Sequence, residues 1–274
     1  MAEDLVSVLL PVHRDNPFLD PAIMSILNQD YPNLEILFLD NSNEGLDVSA
    51  WSKYTKFRYI KVPGNFGLSE TLNVGIRESA GVFLLRMDYD DLCMPRRIRE
   101  QVKFMENNPE IGISGTFAEV IGSSIDSNVK PGEIISRPIN PDLINEYLLY
   151  KNPLLHPTVI MRKSLVTKYH LTYNKKFDSA EDLDLWARAS KYFQIGNIPE
   201  PLLQYRIHGS QYSRQDAINS RLQSAIIRSR HSVRIALTSK SLRTKASRVL
   251  VKNLIIIMRL KYVKMRSSQF KKFG

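Results

Sequence analysis

Three aspartates follow an apolar run in the segment VFLLRMDYDD at residues 82–91. Asp88, Asp90 and Asp91 are too close together to stay ionised in an apolar environment unless a positive charge compensates them. A divalent cation would supply that charge, because Mg²⁺ and Mn²⁺ bind carboxylate oxygens together with substrate phosphates. The other interpretation is an acidic loop that caps the helix beginning at MPRRI, and the Asp-x-Asp pattern alone leaves both open.

The elements around this cluster predict a mainly parallel sheet flanked by helices. Apolar runs typical of buried strands occupy residues 5–12, 34–40, 57–63 and 82–87. Helical patterns occupy residues 15–29, 67–79 and 94–109. Asn16 and Ser69 are expected to cap the first two helices. Strands that alternate with helices over short links indicate an α/β fold.

Polar residues follow three of these strands. His13 comes after the first strand, Asp40 and Asn41 end the second, and the aspartate cluster follows the fourth. Ligands of such sheets bind beyond the carboxyl ends of the strands. We therefore expect these three strand ends to lie at one site.

The second half of the chain has a less regular pattern. Strands are predicted at residues 111–122, 156–162 and 201–209, helices at 141–150 and 179–193, and a loop at 123–140. The last helix carries Glu181, Asp182 and Asp184 in its first turn, where acidic side chains suit the helix dipole. That placement alone requires no catalytic role.

Charge is distributed unevenly along the 274 residues, whose net charge is +10. Residues 221–274 contain 15 Lys and Arg and no Asp or Glu, whereas residues 1–220 contain 23 basic and 28 acidic residues. This asymmetry predicts that the tail meets an anionic surface. The single cysteine, Cys93, excludes an internal disulfide and a Cys-based zinc cluster and fits a reducing compartment.

Several sequence blocks, in their order and spacing, resemble family 2 glycosyltransferases of the GT-A fold. The blocks are SVLLPVHRDNPFLDPAIMSILNQDYPNLEILFLDNSN, NFGLSETLNVGIRESAG, MDYDD, HPTVIMR, AEDLDLW and YRIHGSQYS, within residues 5–213. The resemblance implies a catalytic domain at 1–213, with a nucleotide-sugar-binding half at 1–122 and an acceptor-binding half at 123–213. Residues 214–274 would form a basic amphipathic helical tail.

The resemblance implies a metal-dependent inverting enzyme that moves one sugar from a nucleoside-diphosphate sugar to an acceptor hydroxyl. Asp88 matches the residue that touches ribose or diphosphate, and Asp90 matches the ligand of the Mn²⁺ or Mg²⁺ ion that bridges the diphosphate. Arg206 and His208 match a loop near the diphosphate, where they suit phosphate or metal binding. Asp91 is expected to support the site or to cap the next helix.

The acceptor side rests on Asp182, which matches the general base of the family. An inverting displacement needs a carboxylate that takes the proton of the acceptor hydroxyl. Glu181 would orient the acceptor or tune Asp182. His156, the first residue of HPTVIMR, would line the acceptor cleft or brace the sheet.

The nucleotide base is expected near Pro11, His13, Asp40 and Asn41. Many relatives have a second acid where this chain has Asn41. An amide oxygen still accepts a hydrogen bond from the pyrimidine N3–H, although an amide also donates. The prediction is therefore that the donor carries uridine or thymidine diphosphate more readily than guanosine diphosphate, and a purine base is not excluded. The planar imidazole of His13 would stack on the base.

Two features favour the addition of a single sugar over extrusion of a polymer. No Trp follows Arg206 in the segment QYRIH, where processive members carry one, and no apolar run reaches 18 residues. The amino-terminal segment lacks the basic start of a signal peptide.

The helical segment at 248–265 mixes cations with Ile, Leu and Val, which predicts that it lies on an anionic membrane surface. The other interpretation is a helical hairpin packed on the catalytic body. Nucleic-acid binding is not expected, because no recognition motif accompanies the charge. These features predict a cytoplasmic protein at the inner face of the plasma membrane, which extends a surface polysaccharide or a lipid-linked glycan.

The sequence carries no signal of an oligomeric state. Two alternative functions come from other functional classes. One is a non-catalytic nucleotide-sugar-binding or scaffold subunit, against which the intact Asp90 and Asp182 argue. The other is a nucleotidyltransferase, which usually needs a Gly-rich basic loop that PVHRDNPF lacks.

Overall fold

The computed structural model describes residues 3–64, 66–122, 129–208 and 217–270, with side chains described up to residue 262. The strands are β1 Val6–Val12, β2 Leu34–Asp40, β3 Phe57–Lys61, β4 Phe83–Arg86, β5 Leu92–Cys93, β6 Ile111–Gly122, β7 Ile134–Ile135, β8 Ile160–Arg162 and β9 Gln194–Ile207. The helices are α1 Leu19–Leu27, α2 Leu68–Glu78, α3 Arg97–Asn107, α4 Pro141–Tyr147, α5 Lys163–Lys168, α6 Glu181–Ala189, α7 Ala217–Thr238 and α8 Arg243–Phe270.

The strands form one sheet in the order β3-β2-β1-β4-β8-β6-β9-β5, with β7 paired to β6. The first four strands of this order are parallel, as predicted. Every residue of β1 and β2 is buried, which explains their continuous apolar sequences. Val12 pairs with Asp40 and Leu9 with Arg86, so the carboxyl ends of β1, β2 and β4 share one edge.

The other half of the sheet brings a distant segment to this edge. Strand β8 is antiparallel to β4, β6 is antiparallel to β8, and β9 runs parallel to β6. The short strand β5, which follows the aspartate cluster, pairs with the end of β9 through Leu92 and Gln204. This pairing places the cluster beside residues 204–208.

Two predicted strands differ from those observed. The strand predicted at 156–162 is shorter, because His156–Thr158 form a 3₁₀ turn and β8 begins at Ile160. Pro157 lies in that turn and has no N–H group to donate to a ladder. Strand β9 is longer than predicted and begins at Gln194.

The helix starts also differ in part from the prediction. The Asn16 side chain accepts a hydrogen bond from the backbone N–H of Phe18 at 2.8 Å, just before α1. Ser69 is not the cap of α2, which begins one residue earlier, after Gly67. Instead, Asp178 accepts a hydrogen bond from the N–H of Ser69 at 3.2 Å. A Cβ atom on Gly67 would clash with the carboxylate of Asp178, so a larger residue there would displace this side chain from Ser69.

The basic tail packs on the rest of the protein through α7. Ile227 belongs to the apolar core on the α6 side of the sheet. The Gln223 side chain accepts a hydrogen bond from the N–H of Ser179 at 3.0 Å, and His231 lies 3.2 Å from the carbonyl oxygen of Asn145. Helix α8 packs on α7, with Ala246 and Val249 buried between α7 and Leu149.

Across the ranges that the structure describes, no helix combines the length and the apolar character that a membrane span requires.

Candidate active site

The three aspartates after β4 offer carboxylate oxygens that lie within 4.8 Å of one another. Asp88 and Asp90 are partly exposed, whereas Asp91 is buried. One oxygen of Asp91 accepts a hydrogen bond from the backbone N–H of Arg206 at 2.8 Å. Its other oxygen, Oδ2, is buried and has no hydrogen-bond partner among the described residues. Burial, and then the charges of Asp88 and Asp90, raise the pKa of Asp91 well above its usual value.

This arrangement fits a divalent cation. Carboxylate oxygens are the ligands that Mg²⁺ and Mn²⁺ prefer, and a buried oxygen without a donor is costly unless a cation or proton meets it. His208 lies beside the cluster, with its Nε2 atom 2.8 Å from an oxygen of Asp90. The predicted metal ligands Asp88, Asp90 and His208 are therefore grouped. The loop at 209–213, predicted to lie near the diphosphate, falls outside the described residues.

Arg86 supplies a positive charge that sequence reasoning missed. Its Nη1 and Nη2 atoms lie 2.6 and 2.5 Å from the two carboxylate oxygens of Asp88, a bidentate pair. The signal was present in the sequence: Arg86 interrupts an apolar strand and stands two residues before Asp88, near enough along the chain to pair with it. The cluster is thus compensated in part by the protein itself.

Arg206 and Phe18 form the next part of the site. The Nε atom of Arg206 donates to the carbonyl oxygen of Asp90 at 2.7 Å, and its guanidinium lies 4.4 Å from the centre of the Phe18 ring. The His208 ring lies 5.3 Å from the same ring. Phe18 was not predicted as a site residue, because its apolar side chain looks like part of a helix start.

A cavity of about 330 Å³ opens beside the cluster. Its lining residues are Arg14, Asp15, Asn16, Pro17, Phe18, Tyr89 and His208. The His13 ring meets Tyr89 edge-on, with ring centres 5.4 Å apart. The carboxyl ends of β1 and β4 therefore share one concave, aromatic and polar surface, as the strand-end argument predicted.

Asn41 and Pro11 lie at the neighbouring strand ends. Pro11 is a buried residue of β1 that pairs with Leu39. The Asn41 amide nitrogen donates to the carbonyl oxygen of Phe66 at 3.0 Å. This bond commits the nitrogen to the backbone and leaves the amide oxygen as the group that can accept from a ligand.

Asp40 is fully buried and its carboxylate is engaged by the protein. It accepts hydrogen bonds from the backbone N–H groups of Ser42 at 2.8 Å and Leu46 at 2.7 Å, and from the Tyr59 hydroxyl at 2.8 Å. Burial alone would raise the pKa of Asp40, but these bonds outweigh it and lower the pKa. Asp40 therefore holds the loop after β2 in place. These hydrogen bonds argue against the predicted direct contact between Asp40 and a nucleotide.

Asp182 lies in the first turn of α6. Burial is the main cause that raises the pKa of Asp88, Arg86 opposes it, and the charges of Asp90 and then of Asp182 add to it, although Asp182 lies 94 residues away in the sequence. Asn152 donates to its Oδ2 atom at 2.5 Å, and the N–H of Leu183 donates to Oδ1 at 2.6 Å. Burial raises the pKa of Asp182, and these two bonds offset only part of that effect. Asn152 was not identified from the sequence.

His156 and Glu181 form a buried pair behind Asp182. The Nδ1 atom of His156 lies 3.6 Å from an oxygen of Glu181, and its Nε2 atom lies 3.0 Å from the Tyr173 hydroxyl. Burial, and then the Arg86 charge, lower the pKa of His156 well below its usual value, so the ring is neutral at pH 7. His156 packs between Tyr173 and Trp186, which supports the bracing role of the two roles considered.

Residues 7–169 match the sequence profile described as glycosyl transferase family 2. The chain belongs to this family. Its members are glycosyltransferases, so the resemblance is confirmed and a nucleotidyltransferase is set aside.

Three curated relatives of this family 2 glycosyltransferase are bacterial proteins. An uncharacterised glycosyltransferase of Haemophilus influenzae is 34% identical over 217 residues, covering 76% of this chain and 67% of that protein. The O-antigen biosynthesis glycosyltransferase WbnJ of Escherichia coli is 32% identical over 216 residues, covering 75% and 80%. The amylovoran biosynthesis glycosyltransferase AmsE of Erwinia amylovora is 31% identical over 166 residues, covering 58% of each chain.

Solved structures confirm the GT-A fold. Staphylococcus aureus TarS 1-349 in complex with UDP-GlcNAc superposes with a TM-score of 0.66 at 15% identity, covering 92% of this chain and 72% of that one. The mannosyltransferase PcManGT of Pyrobaculum calidifontis, in complex with GDP-Man and Mn²⁺, superposes with a TM-score of 0.61 at 15% identity, covering 96% and 75%.

Proposed function

We propose that this family 2 glycosyltransferase moves one sugar from a nucleoside-diphosphate sugar to an acceptor hydroxyl, with inversion at the anomeric carbon and with a divalent cation. The observation that carries the proposal is the carboxylate cluster at the end of β4, whose oxygens lie within 4.8 Å of one another and beside His208. This cluster is suited to hold a diphosphate through a cation, and Asp182, at the start of α6, is a carboxylate suited to take a proton. An inverting displacement needs these two functions at one site.

On the donor side, Asp90 and Asp91 would hold Mn²⁺ or Mg²⁺ with His208 beside them, and Asp88 would face the ribose or diphosphate. A divalent cation supplies charge neutralisation for the leaving diphosphate. Arg206 adds a fixed positive charge, and its contacts with Phe18 and the Asp90 backbone hold it next to the cavity. A guanidinium suits a phosphate because its planar fork of N–H groups can bond two phosphate oxygens at once.

On the acceptor side, Asp182 takes the proton of the attacking hydroxyl. Its two hydrogen bonds fix the direction of the carboxylate, and each oxygen keeps a lone pair for the acceptor. A raised pKa makes the carboxylate a stronger base than an ordinary surface aspartate. Asp182 is therefore the catalytic base in this proposal.

The nature of the donor and the acceptor follows from two further observations. The hydrogen bond of the Asn41 nitrogen to Phe66 turns the amide oxygen into the group offered to a ligand, which supports a uridine or thymidine diphosphate, whose base offers an N3–H group. The named relatives act in the synthesis of O-antigen and amylovoran, which supports a surface polysaccharide or its lipid-linked precursor as the product.

The test is a thermal-shift screen of nucleotide-sugars with Mn²⁺, followed by release of nucleoside diphosphate and determination of the anomeric configuration of the product. We expect one pyrimidine nucleotide-sugar to raise the melting temperature in a Mn²⁺-dependent way. Retention of the anomeric configuration would refute the role of Asp182 as a base. Stabilisation that is equal with and without Mn²⁺ would refute the role of the cation.

We also propose that α8 docks the protein on an anionic membrane at the cytoplasmic face. Five exposed apolar side chains recur at intervals of three and four residues along one face of this helix: Val251, Leu254, Ile255, Met258 and Tyr262. The exposed cations Arg248, Lys252, Arg259 and Lys261 flank this apolar stripe. An apolar stripe with cations beside it, in a segment (residues 221–274) without an acidic residue, complements an anionic lipid surface.

Vesicle co-sedimentation tests this docking with Leu254→Gln combined with Met258→Gln. We expect binding to vesicles with anionic phospholipid to fall about a hundredfold or more, because each of the two side chains loses burial worth about 1.5–3 kcal/mol. The matched control replaces Ile139 and Leu143, which are equally exposed on the body. Equal binding by both double variants would refute the docking face. Point changes are preferable to removing the tail, because Ile227 of α7 is a core residue.

A further inference from the structure

Arg86 lies at the end of β4 and is 3% exposed, yet it carries a charge that the apolar strand around it does not compensate. Its guanidinium binds both carboxylate oxygens of Asp88. The carbonyl oxygen of Arg86 accepts a hydrogen bond from the buried Arg97 at 2.9 Å, which fixes the backbone at this point. The bidentate pair is therefore held by a rigid part of the sheet.

Arg86 also faces the carboxylates of the acceptor side. Its positive charge opposes the larger effect of burial on the pKa of Asp91, Glu181 and Asp182. Leu84 and Arg86 point to the same face of β4, and Leu84 packs in the core on the α6 side. Arg86 is thus the buried counter-ion that the donor cluster and the base share.

A cation that binds in the aspartate cluster is repelled by the Arg86 guanidinium and competes with it for the oxygens of Asp88. While Arg86 engages both oxygens of Asp88, the cluster offers the carboxylate of Asp90 and the unpartnered oxygen of Asp91. Mg²⁺ and Mn²⁺ sites with one or two carboxylates generally rely on substrate phosphates for further oxygens. The positive charge of Arg86 weakens the attraction for a free cation further.

We propose that Arg86 is a positioning residue that reserves Asp88 for the donor and makes divalent-cation binding depend on the diphosphate. This inference rests on the proposed function and deepens it. In the free protein, the Arg86 pair keeps Asp88 oriented and keeps affinity for the metal alone low. The diphosphate then brings the negative charge and the oxygens that the cluster lacks.

The experiment measures Mn²⁺ binding to the full-length protein by electron paramagnetic resonance, with and without UDP. In the unchanged protein we expect weak binding of Mn²⁺ alone and at least tenfold tighter binding with UDP. Arg86→Met removes the charge and frees Asp88, so Mn²⁺ alone should bind at least tenfold tighter, while the enhancement by UDP shrinks by a similar factor. Binding of Mn²⁺ alone that is unchanged or weaker in a folded Arg86→Met protein would overturn the inference.

A second variant keeps the inference testable if Arg86→Met does not fold. Arg86→Lys keeps the charge but loses the bidentate geometry, so its affinity for Mn²⁺ alone should lie between those of the unchanged and the Met proteins. We expect its KM for the donor to rise several-fold, with a smaller change in kcat. If Arg86→Lys bound Mn²⁺ alone no tighter than the unchanged protein and kept its KM, the pair would have only a structural role.

Two controls accompany these variants. The Asp88→Asn variant distinguishes the role of Arg86 from unfolding, and UDP binding by the unchanged protein distinguishes it from a failure of the proposed function. Asp88→Asn removes a negative charge and leaves Arg86 unpaired, so Mn²⁺ alone should bind more weakly, a change opposite in sign to that of Arg86→Met. Unfolding would weaken binding in both variants. If the unchanged protein bound no nucleoside diphosphate at all, the proposed function would fail, whereas normal UDP-dependent Mn²⁺ binding with no effect of Arg86→Met would refute only the role of Arg86.

Discussion

The Asp182→Asn change tests the assignment of the catalytic base with little disturbance of the structure. Asparagine has nearly the same size as aspartate and keeps one oxygen that can accept from the N–H of Leu183. Its amide nitrogen would face the side chain of Asn152, which can rotate its amide to present an oxygen at the cost of the 3.3 Å hydrogen bond that this oxygen accepts from the N–H of Leu154. The folded structure is therefore expected to persist while the group that takes a proton is lost.

The expected effect follows from the role of a general base. Proton transfer to a positioned side chain contributes about 10²–10⁴-fold to the rate, which corresponds to about 2.7–5.5 kcal/mol of activation free energy. We expect kcat of Asp182→Asn to fall by about this factor. The KM for the donor should change less than about threefold, because Asp182 makes no contact in the donor cavity.

The assay is release of nucleoside diphosphate from the donor that the thermal-shift screen identifies, with the acceptor held constant. The matched control is Asp184→Asn, which lies in the same helical turn and bonds Arg188 at 2.8 Å. Because Asp184 is buried and bonded to a charged partner, this change should lower stability by about 1.5–3 kcal/mol and leave kcat within about threefold. A kcat of Asp182→Asn within tenfold of the unchanged protein would show that another group takes the proton.

Three further predictions concern other parts of the site. Because burial raises the pKa of Asp182 and only its ionised form accepts a proton, kcat/KM should rise with pH through a limb above the usual carboxylate range, and Asp182→Asn should lose that limb in a pH profile. Asp90→Ala should abolish the Mn²⁺-dependent thermal shift by nucleoside diphosphate; a shift of normal size would remove Asp90 from the metal ligands. Asp40→Asn should cost about 2–3 kcal/mol in urea unfolding at pH 7. Because folding lowers the pKa of Asp40, its carboxylate stabilises the folded protein above the unfolded pKa of about 3.9, and this stabilisation is lost as pH falls through the folded pKa. A difference in unfolding free energy between Asp40→Asn and the unchanged protein that persists at pH 2 would contradict this electrostatic role.

Much of the donor half could be predicted from the sequence. Continuous apolar runs indicate buried parallel strands because both faces of such strands lack water, and β1 and β2 are buried at every residue. The position of the aspartates after β4 then follows from chain order alone. The strand predicted at 156–162 is shorter than expected and begins at Ile160, because Pro157 lies in a 3₁₀ turn that the apolar composition concealed.

The cap of α2 and the shape of the tail depended on contacts between distant residues. Asp178, 109 residues from Ser69, accepts a hydrogen bond from the N–H of Ser69 in the first turn of α2, whereas Ser69 was expected to cap the helix with its own side chain. The basic tail offered two interpretations, and the structure contains features of both: α7 packs on the body, whereas α8 exposes an apolar stripe. The composition of a helix determines whether it can have an apolar face, but it does not determine whether that face packs on the body or stays exposed.

The sequence by itself determined the kind of chemistry: a carboxylate cluster at the end of a buried strand, and an acidic helix start that resembles the base of a known family. The tertiary structure decided how those charges are compensated and joined. Arg86 is the last residue of β4, and it binds Asp88 because the chain after the strand brings that carboxylate back to the guanidinium, which the sequence spacing permits but does not require. The charge of Asp182 adds to the raised pKa of Asp88 because α6 packs on the face of β4 that carries Leu84. The position of a helix depends on packing throughout the core, which no local pattern in the sequence encodes.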